Sequence, residues 1–467
     1  MDLRAVRDRD DTRIFEEVES SVRVYCRQMP AVFCRARNAK VWDEDGNEYV
    51  DFLSACGSLN YGHNHPAIKA AVAEYLADDG ILNGLDLYTK AKRDFLTDFR
   101  QIILNPRRLS YRVQFPGPTG TNAVEAALKL ARKVTGRTTI VAFTNAFHGM
   151  TPGALAASGN CAARASAGPT LPPVVRLPYD GYHGAGIREL QLFDAMLDDP
   201  SSGVELPAAI VLETVQGEGG LNVASGRWLH AVREIADRHG IVFIVDDIQA
   251  GCGRCGPFFS FERAGVVPDI VCLSKSLSGI GLPMSLVLIK PEFDAWAPGE
   301  HNGTFRGNNL AFIAARAALS LWGDGNFEPE TRSKGRRLRS RLEAIVAQLP
   351  GDSASVKGIG LMAGIEFADK SVAAQIAEEC FKHSVLIETS GPHGEVLKIM
   401  PPLTIENEVL DHGLEIVTQC SIGAITTASG CGVGSGSRRG SDSGRGGNGV
   451  YRRPPSPPAA IARLASP

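Results

Sequence analysis

The chain has 467 residues, 44% of them hydrophobic, and a formal net charge of −3. That apolar content is enough for two or three domains with buried cores. A near-neutral balance gives no electrostatic footprint for nucleic acid or for a membrane surface, so neither is expected as a partner. The charged N-terminal stretch carries no apolar signal segment and no run reaches the length of a membrane span, so a cytoplasmic location is expected. The ten cysteines are scattered and read as reduced, mostly buried small residues.

In chain order, Ile14, Val18, Val22 and Tyr25 recur at helical spacing and predict a helix over 14–30. Residues 41–52 alternate apolar and polar around Asp45-Gly46-Asn47, a hairpin signal. Between about 110 and 290, short apolar runs alternate with helical stretches. Strands are expected at 139–143, 209–212, 241–245, 270–273 and 285–289. Continuous apolar runs of this length suit strands covered on both faces, hence an α/β fold with a mainly parallel sheet flanked by helices. Residues 311–345 look helical, and a smaller α+β domain follows to about 420. The expected division is an N-terminal helix and hairpin (1–55) belonging to the small domain, a large domain (56–310), the C-terminal small domain (311–423) and a disordered tail (424–467). The tail is rich in Gly, Ser, Arg and Pro, which bury too little apolar area to offset ordering entropy.

Four separated motifs carry polar chemistry. Gly117-Pro118-Thr119-Gly120-Thr121-Asn122 precedes an amphipathic stretch, so Gly120 and Thr121 could present backbone N–H groups to an anion at a helix start. An ordinary capped helix explains the same residues. Asp246-Asp247-Ile248-Gln249 follows an apolar strand at the edge where open α/β sheets bind ligands, though a helix cap or a metal ligand would fit equally. Ser274-Lys275-Ser276 ends another apolar strand. A partly desolvated lysine there could act as a nucleophile, and a surface lysine in a serine-rich turn is the plainer reading. The loop His301-Asn302-Gly303-Thr304-Phe305-Arg306-Gly307 is more polar than a connection needs. Two decoys lie in one stretch. Gly251, Gly253 and Gly256 match a dinucleotide pattern, but Pro257-Phe258-Phe259 follows where a helix should open. Cys252 and Cys255 form a C-x-x-C without a second ligand pair, so no metal site is expected.

Taken together, these motifs resemble the class III, fold-type-I aminotransferases that depend on pyridoxal 5′-phosphate. The likeness runs over about 14–420. It rests on Tyr61-Gly62-His63-Asn64-His65-Pro66, Gly120-Thr121, Ala146-Phe147-His148-Gly149, Glu213-Thr214-Val215-Gln216-Gly217-Glu218-Gly219-Gly220, Asp246-Asp247-Ile248-Gln249, Ser274-Lys275 and Thr304. The resemblance implies that Lys275 binds the cofactor covalently and moves the substrate proton, and that Asp246 pairs with the pyridine nitrogen. Gln249 would lie near the ring 3-oxygen, Phe147 would stack on the ring, and His148 would sit beside the cofactor. Gly120 and Thr121 would hold the phosphate, with Thr304 supplied by a second subunit. Glu213, Glu218 and Lys398 would serve the substrate side, Glu218 as a gate. It implies a homodimer with shared active sites, leaving open whether dimers pair into tetramers.

Within the class, Arg13-Ile14-Phe15-Glu16, Asp86-Leu87-Tyr88-Thr89-Lys90-Ala91-Lys92-Arg93, Gly281-Leu282-Pro283-Met284 and the 301–308 loop resemble the diaminobutyrate–2-oxoglutarate transaminases of ectoine biosynthesis. That implies an amino donor, L-2,4-diaminobutyrate, and 2-oxoglutarate as acceptor. Transaminases of ornithine, acetylornithine or 4-aminobutyrate, aminomutases, and a degenerate binding protein are the alternatives. The chain departs from the class in three places. Asp247 stands where many members have Glu. Lys398 stands where many have a carboxylate-clamping Arg, giving a point charge instead of a fork. The sequence after about 421 lacks the helix the family would continue there.

Overall fold

A computed structural model describes residues 10–168 and 170–430. Its centre is a seven-stranded sheet. In chain order the strands are β1 (Arg112–Gln114), β2 (Ile140–Phe143), β3 (Val174–Leu177), β4 (Ala209–Leu212), β5 (Val242–Asp246), β6 (Ile270–Leu273) and β7 (Leu286–Ile289). Their spatial order is β1-β7-β6-β5-β4-β2-β3. All neighbours are parallel except β6–β7 and β7–β1.

Strand periodicity sends alternate side chains to two separate cores. Ile140, Ala142, Ala209, Val211, Val242, Ile244, Ile270 and Cys272 pack with Ala123, Val124, Ala127, Leu128 and Ala131 of helix α1 (Gly120–Thr135). Val141, Phe143, Ile210, Leu212, Phe243, Val245, Val271 and Leu273 pack with Trp228, Leu229, Val232 and Ile235 of helix α2 (Gly226–His239), and with Phe95, Phe99 and Phe312. Two cores explain why these strands read as unbroken apolar runs rather than as alternating ones. The same parity puts Asp246, two residues after Ile244, on the α1 face.

Besides a two-stranded antiparallel ribbon, Val215–Gln216 with Asn222–Val223, two four-stranded sheets complete the fold, one antiparallel and one mixed. One orders Ala354–Ile359, Met362–Phe367, Val396–Ile399 and Glu388–Ser390. In it Glu388 stands directly opposite Lys398. The other holds the N-terminal strands Phe33–Arg37, Lys40–Asp43 and Glu48–Asp51, joined in parallel by Val385–Leu386.

Several expectations need correction. The helix over 14–30 is two helices, Asp10–Val18 and Tyr25–Gln28. Ser20, Ser21 and Val22 interrupt it; such side chains favour local turns or lose rotamer freedom in a helix, and Arg23 Nε donates to the Ser20 carbonyl at 3.0 Å. The stretch 311–345 is also two helices, Asn309–Ser320 and Phe327–Val346. The last helix runs Asn407–Gly430, past the expected start of the tail at 424; the remainder of the tail lies outside the described residues. Among the described residues no helix is long and apolar enough to cross a membrane.

Candidate active site

The carboxyl ends of β5 and β6 deliver Asp246 and Lys275. Lys275 has φ +47. A non-glycine residue in the left-handed region costs about 1–3 kcal/mol and persists where its surroundings over-determine it. Here the neighbours do so: Ser276 Oγ donates to the Gly57 carbonyl at 2.6 Å and accepts from Asn60 N at 3.0 Å, and Ser274 Oγ donates to the Met284 carbonyl at 2.7 Å. Facing them is a second strained segment. Ser54, Ala55 and Cys56 have φ of +47, +48 and +56 in succession. Asp51 anchors it, accepting from Leu53 N and Ser54 N, each at 2.8 Å, while His63 Nε2 lies 2.9 Å from its other oxygen.

Asp246 is buried. One oxygen is 2.8 Å from His148 Nδ1 and the other accepts from Ile248 N at 3.2 Å. Burial works against a charged His148 ring, but the hydrogen bond and charge of Asp246 outweigh it and hold the pKa above the ordinary value. His148 Nε2 is buried without a hydrogen-bond partner. Glu213 lies behind this pair: it accepts from Phe147 N at 2.9 Å, and burial pushes its carboxyl up to about 7 against the pull of His148. Phe147 itself remains 39% exposed, unusual for an aromatic beside a buried cluster.

α1 starts at Gly120, where Thr119 and Asn122 cap each other: Asn122 N donates to the Thr119 carbonyl at 3.0 Å and Thr119 N to Asn122 Oδ1 at 3.1 Å. The first-turn N–H groups of such a helix have no intrahelical acceptor. Thr121 Oγ1 is 2.5 Å from Thr151 Oγ1, which donates to Glu125 at 2.6 Å and so closes the 149–154 loop over the helix start. Gly149, at φ +131, has to be glycine, because a Cβ there would lie 2.4 Å from Thr121 Oγ1. The first turn of α1, with its open N–H groups, and the Asp246 carboxylate therefore share one face of the sheet. An unpartnered buried imidazole nitrogen lies beside them. These residues fit a phosphorylated pyridine.

The third part is a charged cluster. Lys398 is fully buried, with Nζ 2.8 Å from Glu218 Oε1 and 2.9 Å from Glu388 Oε1. Burial opposes its charge, yet the two carboxylates raise its pKa. Lys398 and Lys275 together hold Glu218 below the carboxylate range despite desolvation. Gln249 Nε2 donates to Glu218 at 3.1 Å and to the Cys56 carbonyl at 3.0 Å. Gly217 is required at its position because a Cβ would fall 1.6 Å from Gln249 Oε1. Tyr25 Oη donates to Glu388 at 3.2 Å and lies 2.7 Å from Cys56 Sγ.

Of the sequence-predicted residues, the structure brings Lys275, Gln249, Glu218 and Lys398 into one connected set, and Asp246, His148, Glu213 and Phe147 into another. Gly120 and Thr121 start α1 on the Asp246 face. Thr304 stands apart in an exposed turn, with its carbonyl accepting from Asn83 Nδ2 at 3.2 Å. Tyr25, Cys56 and Glu388 were missed. Glu388 could have been suspected only from sheet register, which places it opposite Lys398. Cys252 and Cys255 are buried free thiols in a turn, and the helix a dinucleotide pattern requires does not follow them.

Asp247 is fully buried, accepts from Ser260 N at 3.0 Å and from Ser260 Oγ, and burial pushes it up to about 7. Glu213 and Asp247 both rise from ordinary values of 4.5 and 3.8. A raised carboxyl favours the folded state below its unfolded pKa, and that contribution disappears as pH climbs through the folded pKa. Between about pH 4 and pH 7 both groups should thus make the protein progressively less stable. The Glu213→Gln/Asp247→Asn double variant should show a flatter midpoint-versus-pH curve in thermal unfolding over this window; superimposable curves would refute the assignment.

Comparison with known proteins agrees with this geometry. The model of the aminotransferase class-III family matches residues 22–421. A diaminobutyrate–2-oxoglutarate transaminase from Nocardia farcinica is 53% identical over 418 residues, covering 89% of this chain and 94% of its own. One from Streptomyces anulatus is 54% identical, covering 87% and 97%. Among solved structures, an ornithine aminotransferase from Toxoplasma gondii superposes with TM-score 0.76 at 26% identity, over 90% of this chain and 94% of that one. An acetylornithine aminotransferase from Elizabethkingia anophelis gives 0.71 at 27%, over 88% and 98%.

Proposed function

Because the chain belongs to the class-III aminotransferases, we propose that it moves the terminal amino group of L-2,4-diaminobutyrate to 2-oxoglutarate, giving L-aspartate 4-semialdehyde and L-glutamate. The relatives above 50% identity that bear this name support the substrate pair. The observation that carries it is the buried Lys398 between Glu218 and Glu388. Such a cluster offers both signs of charge to a substrate's far end, and both a diamino acid and a dicarboxylate need a cation there.

The cofactor is pyridoxal 5′-phosphate, which when bound supplies the electron sink that lets a C–H bond beside the amine ionise. Around it the chain's own groups divide the work. Lys275 would take the proton from C4 of the donor and, in the second half-reaction, supply a proton to C2 of the acceptor as L-glutamate forms. Asp246, fixed by His148, would keep the ring nitrogen protonated. Gly120 and Thr121 would bind the phosphate through backbone N–H groups and the helix dipole, Phe147 would cover the ring, and Gln249 would hold its oxygen side once released from Glu218.

A second copy of the chain completes this reading. Leu82, Leu87, Tyr88 and Phe305 are exposed apolar side chains around the Thr304 turn, which Asn83 and Gly84 join by hydrogen bonds. Covering them in a homodimer would carry Thr304 toward the partner's phosphate cradle. The nine free cysteines among the described residues suit a reducing cytoplasm, and the local sequence matches support a role in ectoine biosynthesis. Glutamate formation from 2-oxoglutarate with a panel of amines tests the reaction. Diaminobutyrate should exceed ornithine, acetylornithine and 4-aminobutyrate in kcat/KM by at least roughly tenfold, the scale of one buried polar contact. Turnover of ornithine without turnover of diaminobutyrate would sink the assignment.

A further inference from the structure

We propose that Glu388 is the receptor for the donor's second, non-reacting ammonium group, and so the residue that makes the site select a 2,4-diamino acid. The proposal rests on the transaminase reading above. It begins with charge. Lys398 touches two carboxylates, Glu218 and Glu388, and only the charge of Lys275 makes up the balance. When Lys275 gives up its ammonium to bind the cofactor, one negative charge is left in surplus beside Lys398. A buried surplus charge is costly unless something neutralises it. A donor whose far end bears an ammonium beside a carboxylate supplies the missing cation, while its carboxylate turns to Lys398.

The two carboxylates are not equivalent. Glu218 is on a turn flanked by Gly217, Gly219 and Gly220, and its side chain is 33% exposed. It can withdraw when an acceptor with a second carboxylate arrives. Glu388 cannot follow. It is 4% exposed, sits in a strand directly opposite Lys398, and is held from the other side by Tyr25 Oη. Its Oε1 lies 2.9 Å from Lys398 Nζ and has no other polar partner among the described residues, which leaves capacity on this oxygen for a second donor. It belongs to the same site as the reacting lysine, since the charges of Glu388, Lys275 and Lys398 all act on the Cys56 thiol between them. A fixed carboxylate with an unfilled acceptor, beside a cation that serves both substrates, is the feature that distinguishes a diamino donor from one lacking the second amine.

The test uses the holoenzyme and three amines that differ by one group. 4-Aminobutyrate is diaminobutyrate without the 2-ammonium, and 1,3-diaminopropane is diaminobutyrate without the carboxylate. Wild-type enzyme should prefer diaminobutyrate to 4-aminobutyrate at least a hundredfold in kcat/KM. Glu388→Gln should reduce that preference at least thirtyfold, mainly through KM. Its loss with diaminobutyrate should exceed its loss in the L-glutamate half-reaction at least tenfold. Glu388→Asp should recover part of the preference. Preference for diaminobutyrate over 1,3-diaminopropane should survive in Glu388→Gln, because Lys398 reads the carboxylate. Equal losses with diaminobutyrate and 4-aminobutyrate would mean that Glu388 only supports Lys398, and would overturn the proposal. If Glu388→Gln fails to fold, the wild-type comparison still decides: no preference for the 2-ammonium refutes it. A wild-type enzyme inactive on diaminobutyrate but active on another amine instead refutes the reaction assigned above.

Discussion

Replacing Lys275 with alanine is expected to cut turnover by roughly 10⁴-fold or more, since on the proposed mechanism one substitution removes both the group that binds the cofactor covalently and the acid–base that moves the proton. The fold should tolerate the change. Alanine keeps the Cβ and therefore keeps the strain of φ +47, so unfolding stability should move little. Lys275→Gly is the informative companion: glycine adopts this region freely, and it should be as inactive as the alanine variant yet more stable by about 1 kcal/mol. Activity separates the chemical role from the fold, and the difference between the two variants isolates the backbone strain. Borohydride reduction of the wild-type holoenzyme should leave a pyridoxyl group on the Lys275 peptide. Normal turnover in Lys275→Ala would end the mechanism.

Why Lys275 could be chosen from sequence, and Glu388 could not, has a physical answer. Lys275 ends β6 and Asp246 ends β5, and both strands announce themselves as continuous apolar runs because two cores cover them. Residues placed by such runs inherit their position from local pattern. The interior strands β2, β4, β5, β6 and β7 were legible for that reason. Strands β1 and β3 are the two edges of the sheet, and Arg112 and Arg176 within them interrupt the apolar runs, so they passed unread. Tyr25, Cys56 and Glu388 meet only through tertiary structure: a split N-terminal helix, a left-handed turn and a strand of three residues. No periodicity links them. Lys398 was noticed as a departure from an arginine, but its partners were invisible until register set Glu388 opposite it. Thr304 lies on the surface of a single chain, and the role proposed for it depends on a second copy.

Arg254 lies inside the decoy stretch Gly251-Cys252-Gly253-Arg254-Cys255, and its replacement by methionine is expected to cost about 3–5 kcal/mol of stability, the scale for leaving several buried hydrogen-bond acceptors without a donor. Its side chain is fully buried. Nε donates to Asn60 Oδ1 at 3.1 Å, Nη1 donates to the Leu361 carbonyl at 3.0 Å and to the Pro401 carbonyl, and Nη2 donates to Asn60 Oδ1. Burial lowers its pKa to about 10, so it stays charged at neutral pH. Methionine would fill much of the volume but strand three buried acceptors, each costing about 1–3 kcal/mol. Lysine would keep the charge yet could not span acceptors that need a planar fork, and should fall between. The effect should reach the site, because Arg254 joins its two halves. Pro401 lies three residues beyond Lys398, while Asn60 donates through its backbone N–H to Ser276 Oγ, next to Lys275. Denaturant unfolding reads the stability term. Steady-state kinetics reads the other, with KM for donor and acceptor rising together, since on the proposed function both use Lys398. A variant within about 0.5 kcal/mol of wild type, the scale of a neutral surface change, and with unchanged KM values would show that the network neither holds the fold together nor sets the spacing of the two lysines.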